Sequence, residues 1–323
     1  MGFLQQFLSY NRICIQCHND PDSDTLASAF GVYCYLKAHG VDAFLVYGGK
    51  KSIKKGGTKM LVNECAIHIE NVHSISDFDL LLLVDCQYGQ GNVETFPADN
   101  IAIIDHHMQV VEPKDSYLIK SDYQSCSAIV YELLCEEGYP VKENEALCIA
   151  LLYGLYIDTS CFSDLFHEED IAMKNALYKQ QPLFERLTKA SMSVAELLIA
   201  SDALYNHYFD VERHFSIVEA LTCEAAVLGI IGDFMIQVDE VYLSFAYTQT
   251  GIGYQISLRT CHQNLPANQI AAYICDGIGN GGGHEKKAGG VILAEKLRAK
   301  YGDKSIHDVI NMLLCRYVDE HMK

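Results

Sequence analysis

The residues of this chain that could do chemistry stand in short clusters, each just behind an apolar run. Asp105-His106-His107 follows Ile101-Ala102-Ile103-Ile104, and His18-Asn19-Asp20-Pro21-Asp22-Ser23-Asp24 follows Ile13-Cys14-Ile15. Asp85 follows Leu80 to Val84, and Asp158 follows Leu155-Tyr156-Ile157. Short aliphatic runs read as buried strands, which puts the first three clusters at strand carboxyl ends. Open α/β sheets bind ligands along that edge. Carboxylates and imidazoles meeting there are hard donors suited to Mn²⁺ or Mg²⁺. Acids pressed this close repel one another unless cations intervene, so the expectation is two ions. One such residue means little, and Asp24 alone would read as a helix cap. Four segments converging on one point carry the metal reading.

Cys14-x-x-Cys17 is the other pair with metal or redox spacing. On a strand, side chains three apart face opposite sides, and no second such pair exists, so both read as buried thiols. The 13 cysteines are scattered, mostly within apolar segments such as those holding Cys34, Cys86, Cys148 and Cys275. Met1 to Gln6 lacks the apolar core and cleavage site of an export signal. Reduced thiols in a cytoplasmic protein are therefore expected, with no disulfide framework. The longest apolar candidate, Ala146 to Ile157, is far short of the roughly 20 residues a membrane span needs. A net charge of −18 excludes a protein that coats long nucleic acid, because such proteins carry a basic footprint. A small phosphorylated substrate needs only a few local cations and stays open.

The elements that must position these groups alternate in the manner of a parallel sheet. Strands are expected at 13–17, 41–47, 80–84 and 101–104, with helices over 24–39, 127–137 and 143–156. Residues 168–207 read as helical, broken at Pro182. Character changes after about Asn206. Residues 241–247 and 253–259 alternate around Thr250-Gly251 as an antiparallel hairpin. A helix over 267–275 leads into a glycine-rich loop at 277–284, then a strand at 290–293 and a closing helix over 304–321. With 323 residues, half of them apolar, two packed domains are expected: residues 1–207 and 208–323. The fold class is α/β, a mainly parallel sheet flanked by helices plus a smaller α/β domain with a mixed sheet. The active site is expected in the cleft between them.

His18-x-x-Pro21-Asp22-x-Asp24, the strand-ending Asp85, Asp105-His106-His107 and Asp158-Thr159-x-x-Phe162 resemble the DHH phosphoesterase superfamily. Ser257-Leu258-Arg259, Ile270-Ala271-Ala272, Gly281-Gly282-Gly283-His284 and Ala288-Gly289-Gly290 are similar to its first type of DHH-associated domain. Together they cover about Cys17 to Gly290 and are most similar to the nanoRNase/pAp-phosphatase branch. The resemblance implies one Mn²⁺ on His18, Asp22 and Asp85, and a second on Asp24, Asp85, His106 and Asp158, with Mg²⁺ or Co²⁺ as substitutes. It also implies that His107 faces the substrate phosphate while Asp105 orients the imidazoles from behind. Ser125 and Ser127 match a serine-rich family segment near the site, with helix capping as their other reading. The sequence departs from the family at Ala27, Ser160 and Asn280, each standing where glycine is common, and none of these is a ligand.

In the second half, Gly281, Gly282 and Gly283 free the backbone for close approach to an anion. Arg259 offers a fork for phosphate oxygens, and His284 ends the run. Lys286 and Lys287 add charge there or are plain surface residues. Lys50, Lys51, Lys54, Lys55 and Lys59 form a basic stretch with no acid among them. It reads either as a loop steering an anionic substrate or as solvated surface. The expected activity is hydrolysis of short oligoribonucleotides, linear dinucleotides or 3′-phosphoadenosine 5′-phosphate, with no long duplex or membrane partner and with a homodimer as the expected assembly. The rivals are a cyclic-di-AMP phosphodiesterase, a pyrophosphatase or exopolyphosphatase, and a catalytically silent nucleotide-binding module.

Overall fold

β1 (Arg12–Cys17) is buried on both faces beyond its first residue, and every other element of the first unit is placed around it. In the computed structural model, which describes residues 2–50, 52–53, 56–179, 182–189 and 192–322, the chain divides between residues 191 and 192 into two units.

After β1 come α1 (Ser23–Ala38), β2 (Asp42–Tyr47), α2 (Gly56–Glu64), β3 (Ile69–Asn71), β4 (Leu80–Val84), β5 (Ile101–Asp105) and β6 (Tyr117–Ile119). Four helices follow: α3 (Cys126–Glu136), α4 (Glu145–Asp158), α5 (Glu168–Leu177) and α6 (Pro182–Lys189). The sheet runs β3-β2-β1-β4-β5-β6, and every pair is parallel. The order reverses direction at β1, so the crevice between the carboxyl ends of β1 and β4 is the topological switch point.

The helices that flank this sheet gather, among the described residues, on one of its faces. Ile13, Ile15, Leu82, Val84 and Ile104 pack into one core with α1, α3 and α4. The opposite face, with Cys14, Leu81, Leu83 and Ile103, is covered by non-helical chain through Phe78, Val93 and Phe96. The physical reason is that the connections from β3 to β4 and from β4 to β5 contain no helix. α1 is buried almost all round, being an interior helix between sheet and helices, which is why Asp24 on its first turn is fully buried.

The second unit holds α7 (Val194–Tyr205), β7 (Tyr208–Asp210), β8 (Phe215–Ala220), α8 (Ala225–Met235), β9 (Leu243–Thr250) and β10 (Gly253–Thr260). It continues through α9 (Ala267–Cys275), β11 (Gly279–Gly283), β12 (Lys287–Leu293), α10 (Ala294–Tyr301) and α11 (Ile306–His321). Its mixed sheet runs β11-β12-β10-β9-β8-β7, with only β8 and β9 parallel. α7 belongs here, not with the first unit as the expected boundary after residue 207 had it. Its Ala200 and Ala203 share a core with Val218, Val227 and Ile231.

The expected glycine loop is a strand. β11 pairs antiparallel with β12 from Gly279 opposite Ile292 to Gly283 opposite Ala288. The ladder comes from the β12 backbone, so it needs no β-forming side chains on β11. A Cβ at Gly281 would lie 2.6 Å from the Ala271 carbonyl oxygen and 2.8 Å from Cys275 Sγ, because α9 presses against the strand. Asn280 sits in this strand without a left-handed φ.

Candidate metal centre

The first cluster is built by the start of α1. Asp22 caps that helix, its Oδ1 accepting from the amides of Asp24 (3.0 Å) and Thr25 (3.1 Å), a cap worth about 1 kcal/mol. Its Oδ2 lies 3.7 Å from His18 Nε2. Asp24 thus leaves the capping role to Asp22 and turns inward. It accepts from the amides of Cys126 (2.7 Å) and Ser127 (3.0 Å) and from the Ser127 hydroxyl. The N-terminus of α3 therefore points its unsatisfied N–H groups at Asp24, a favourable arrangement for an anion.

Asp85 leaves the sheet at the end of β4. Its amide donates to the Ile104 carbonyl (2.9 Å), and its φ is then +61°, a left-handed conformation that Asp tolerates at a cost. The Thr25 hydroxyl bonds the preceding carbonyl of Val84 at 2.9 Å and pins the turn to α1. Asp85 Oδ2 stands 3.8 Å from His18 Nε2, while Oδ1 stands 3.4 Å from His106 Nε2 and 3.6 Å from His107 Nδ1.

The Asp105-His106-His107 cluster is fixed from behind. Asp105, fully buried, accepts at Oδ1 from His107 Nδ1 (2.8 Å) and from the His106 amide (2.9 Å). Its bond to a ring goes to His107, and its bond to His106 is made at the amide. The His106 ring is set instead by the Tyr123 carbonyl, 3.3 Å from its Nδ1, which directs Nε2 toward Asp85 and toward Asp158 Oδ2 at 3.4 Å. Gln87 completes the support: its Nε2 donates to Asp105 Oδ2 (2.7 Å) and the Met108 carbonyl (3.0 Å), and its Oε1 accepts from the Val110 amide (2.8 Å).

Asp158 ends α4, which approaches α1 closely because residue 154 is glycine. A Cβ there would lie 2.3 Å from Ser127 Oγ and 2.9 Å from Asp24 Oδ1. Beyond Asp158 the chain makes a left-handed turn, with φ of +51° at Ser160, +62° at Cys161 and +65° at Phe162. Ser160 thus occupies a conformation that favours glycine.

Three sets of groups result, each with its donor atoms within 4.8 Å of one another: His18, Asp22 and Asp85; Asp24, His106 and Asp158; and Asp85, His106 and His107. All six expected metal ligands are therefore brought together. The donor set fits divalent cations. Asp85 Oδ1 is buried and accepts no hydrogen bond from the described residues, which an ion would remedy. Burial pushes the Asp85 carboxyl well above the ordinary range, and the carboxylates of Asp24, Asp22 and Asp105 push it further against the pull of His107. Asp158 is raised in the same way by burial and by Asp24 and Asp22. Asp24 is raised by burial, against His106 and the Ser127 hydroxyl. Burial alone would lower His106 and His107. Asp158 and Asp24 reverse this for His106, and the bond to Asp105 together with Asp85 reverses it for His107. Asp105 alone is lowered: burial opposes its charge, but His107 and Gln87 outweigh it.

Ser125, expected among the substrate contacts, is fully buried and caps α3. Its hydroxyl accepts from the Ala128 amide (3.1 Å) and donates to Asp170 Oδ1 (3.0 Å). Its place is in the scaffold behind the site. Cys14 and Cys17 face opposite cores, and burial lifts both thiols to about 12. In the second unit, Arg259 pairs with Lys287 across β10 and β12, and the His284 amide donates to the Lys287 carbonyl (2.7 Å), so the three stand at one end of that sheet. The Arg259 Nε donates to Asp233 Oδ1 (2.6 Å), and the side chain lies over Gly229 and Gly232 of α8. Of the basic stretch, Lys51, Lys54 and Lys55 lie outside the described residues.

Sequence reasoning missed Gln87, Gly154, Tyr123 and Asp170. Gln87 carries one visible signal, a long polar side chain two residues after a strand-ending carboxylate. Asp170 carries none, as one of three consecutive acids opening a helix.

Residues 12–155 match the DHH family, N-terminal domain. An uncharacterized protein of Methanocaldococcus jannaschii is 22% identical over 280 residues, spanning 85% of this chain and 57% of that protein. The cyclic-di-AMP phosphodiesterase GdpP of Geobacillus thermodenitrificans is 27% identical over 169 residues, spanning 47% of this chain and 25% of that one. The chain thus spans little more than half, or only a quarter, of the length of these relatives. A crystal structure of an exopolyphosphatase-related protein from Bacteroides fragilis shares the fold, with a TM-score of 0.77 at 16% identity over 99% of this chain and 98% of that one. No helix among the described residues is long and apolar enough to cross a membrane. The matched stretch carries His18, Asp22, Asp24, Asp85 and Asp105-His106-His107, so these residues lie in the part of the chain that is similar to the DHH family's N-terminal domain.

Proposed function

We propose that the chain is a cytoplasmic divalent-metal phosphoesterase that hydrolyses short oligoribonucleotides and linear dinucleotides such as pGpG or pApA, with 3′-phosphoadenosine 5′-phosphate as a further substrate. The observation that carries this reading is Asp85, a buried carboxylate with one oxygen near His18, the other near His106 and His107, and no hydrogen bond at Oδ1 from the described residues. Such a group could serve both ligand sets. His18 and Asp22 would complete one site, and Asp24, His106 and Asp158 the other. Mn²⁺, or Mg²⁺ or Co²⁺ in its place, would supply Lewis acidity there when bound.

The chain's own residues do the rest. Asp105, itself held by Gln87, holds the His107 ring by Nδ1, and the ring would meet a phosphoryl oxygen through its Nε2 side. The Tyr123 carbonyl, accepting from Nδ1, would fix the His106 tautomer in which Nε2 can hold a cation. In the second unit, Arg259, His284 and Lys287 would hold a further phosphate, Arg259 kept in place by Asp233.

A second reading, a cyclic-di-AMP phosphodiesterase, is favoured by the similarity to GdpP, which covers 47% of this chain. The test is turnover by the full chain with Mn²⁺, then with Mg²⁺ or Co²⁺. The substrates are pGpG, pApA, 3′-phosphoadenosine 5′-phosphate, cyclic-di-AMP and pyrophosphate, with the products identified by chromatography. Faster release of mononucleotides from the linear dinucleotides supports the first reading, and preferred opening of the cyclic one selects the second. A chain inert toward every phosphoester with Mn²⁺ present ends both.

A further inference from the structure

We infer that Asp170, on the first turn of α5, is a positioning residue that holds the inner ligand set, Asp24, His106 and Asp158, and leaves the outer set of His18 and Asp22 unaffected. The inference rests on the metal reading above and assigns a role to a residue outside its ligands. Asp170 is fully buried. Its Oδ2 accepts from the Gln124 amide (3.1 Å) and from His167 Nδ1 (3.0 Å), and its Oδ1 accepts from the Ser125 hydroxyl (3.0 Å). One carboxylate thus fastens the chain at two successive residues, 124 and 125.

That short segment is where the inner ligands get their orientation. One residue earlier, the Tyr123 carbonyl bonds His106 Nδ1, and the Tyr123 ring packs on His167 with centroids 4.3 Å apart. One and two residues after Ser125, the Cys126 and Ser127 amides bond Asp24. Gln124 ties in the third ligand's loop. Its Oε1 accepts from the amides of Phe166 (2.6 Å) and His167 (2.8 Å), and its Nε2 donates to the Asp164 carbonyl, on the turn that follows Asp158. The bonds just named end on Asp24, His106 and the loop after Asp158. None of them ends on His18, Asp22 or Asp85.

A buried acid satisfied by three donors is costly to replace, so its loss should loosen residues 123–127. Partners behind metal ligands are typically worth about 10–100-fold in affinity. The test is Mn²⁺ titration of the full chain, followed by calorimetry and by the paramagnetic resonance of the free ion, for wild type, Asp170→Ala and Asp170→Asn. Wild type should bind two ions. Asp170→Ala should bind one ion as wild type does and the other about 10–100-fold more weakly. Asp170→Asn keeps the shape and one acceptor oxygen, so it should show the same selective loss in smaller measure, and it serves as the test if the alanine variant does not fold. Two ions bound with wild-type affinity by Asp170→Asn, or both weakened equally, would overturn the inference, since a purely structural role spares or harms both alike. A wild-type chain that binds no Mn²⁺ would instead refute the metal reading itself.

Discussion

The two six-stranded sheets carry their candidate site residues in opposite ways. In the first unit the groups at the switch point are in electrostatic conflict. Asp24, Asp85 and Asp158 crowd together, burial raises each carboxyl, and Asp85 Oδ1 accepts no hydrogen bond from the described residues. In the second unit the glycine strand is largely explained by packing, since α9 and β12 leave no room for a Cβ at Gly279, Gly281 or Gly283. The difference teaches where stability and function part company. Residues that a fold would prefer to lose point to a site, whereas residues that it requires do not by themselves point to one.

The largest expected effect tests the first half of that contrast. Asp85→Asn removes the charge shared by both proposed ion sites, so activity should fall by more than the ~100-fold reached when groups behind a ligand are lost. The metal-free variant should nevertheless melt at or above the wild-type temperature at neutral pH. The reason is that a carboxyl raised on folding costs stability once it ionises, and Asn is a near-isostere that accepts the left-handed φ. Thermal melts in chelator beside a phosphoesterase assay would check both. A clear drop in melting temperature with activity retained would place Asp85 among structural groups.

A smaller, graded effect comes with pH. Asp85 and Asp158 are raised on folding, so the metal-free chain loses stability as pH climbs from the unfolded carboxylate value through their folded values. His106 is also raised. Its stabilising contribution is complete below the unfolded imidazole value and fades as pH rises through the folded one. All three shifts favour the protonated forms, with which a cation must compete. The gain in melting temperature on adding Mn²⁺ should therefore grow with pH from about 5 to 8. A gain that is flat, or larger in acid, would contradict the ionisation states assigned to these ligands.

How far this was legible depends on what each residue spends its side chain on. β1, β4 and β5 were readable because aliphatic runs buried on both faces have few other uses, and the ligands were readable because they stand directly behind those runs. β11 was read as a loop because glycine carries no side-chain signal for a strand, and its partner β12 supplies the pairing. Asp170 was invisible because an acid on a first helical turn is ordinarily a surface residue, and only the fold shows this one buried beneath residues 124 and 125. Gly154 was hidden for a related reason: nothing in its helix reveals that Asp24 lies against it. The distinction between Asp22 and Asp24 was also beyond sequence, since both acids suit a helix start and the direction of the turn decides which one caps.

The smallest expected effects sharpen the second half of the contrast, and they separate neighbouring glycines. A Cβ at Gly281 would strike backbone and a thiol, whereas one at Gly282 meets nothing within 4 Å. Overpacking of this kind typically costs about 1–3 kcal/mol, so Gly281→Ala should lower stability by that order in urea denaturation. Gly282→Ala should stay within about 0.5 kcal/mol of wild type, as exposed substitutions usually do. If the backbone of β11 nevertheless meets a substrate phosphate, Gly282→Ala should raise KM for a linear dinucleotide while leaving pyrophosphate turnover alone. An unchanged KM would mean that the glycines of this strand serve packing throughout, and the search for a second phosphate site would narrow to Arg259, His284 and Lys287.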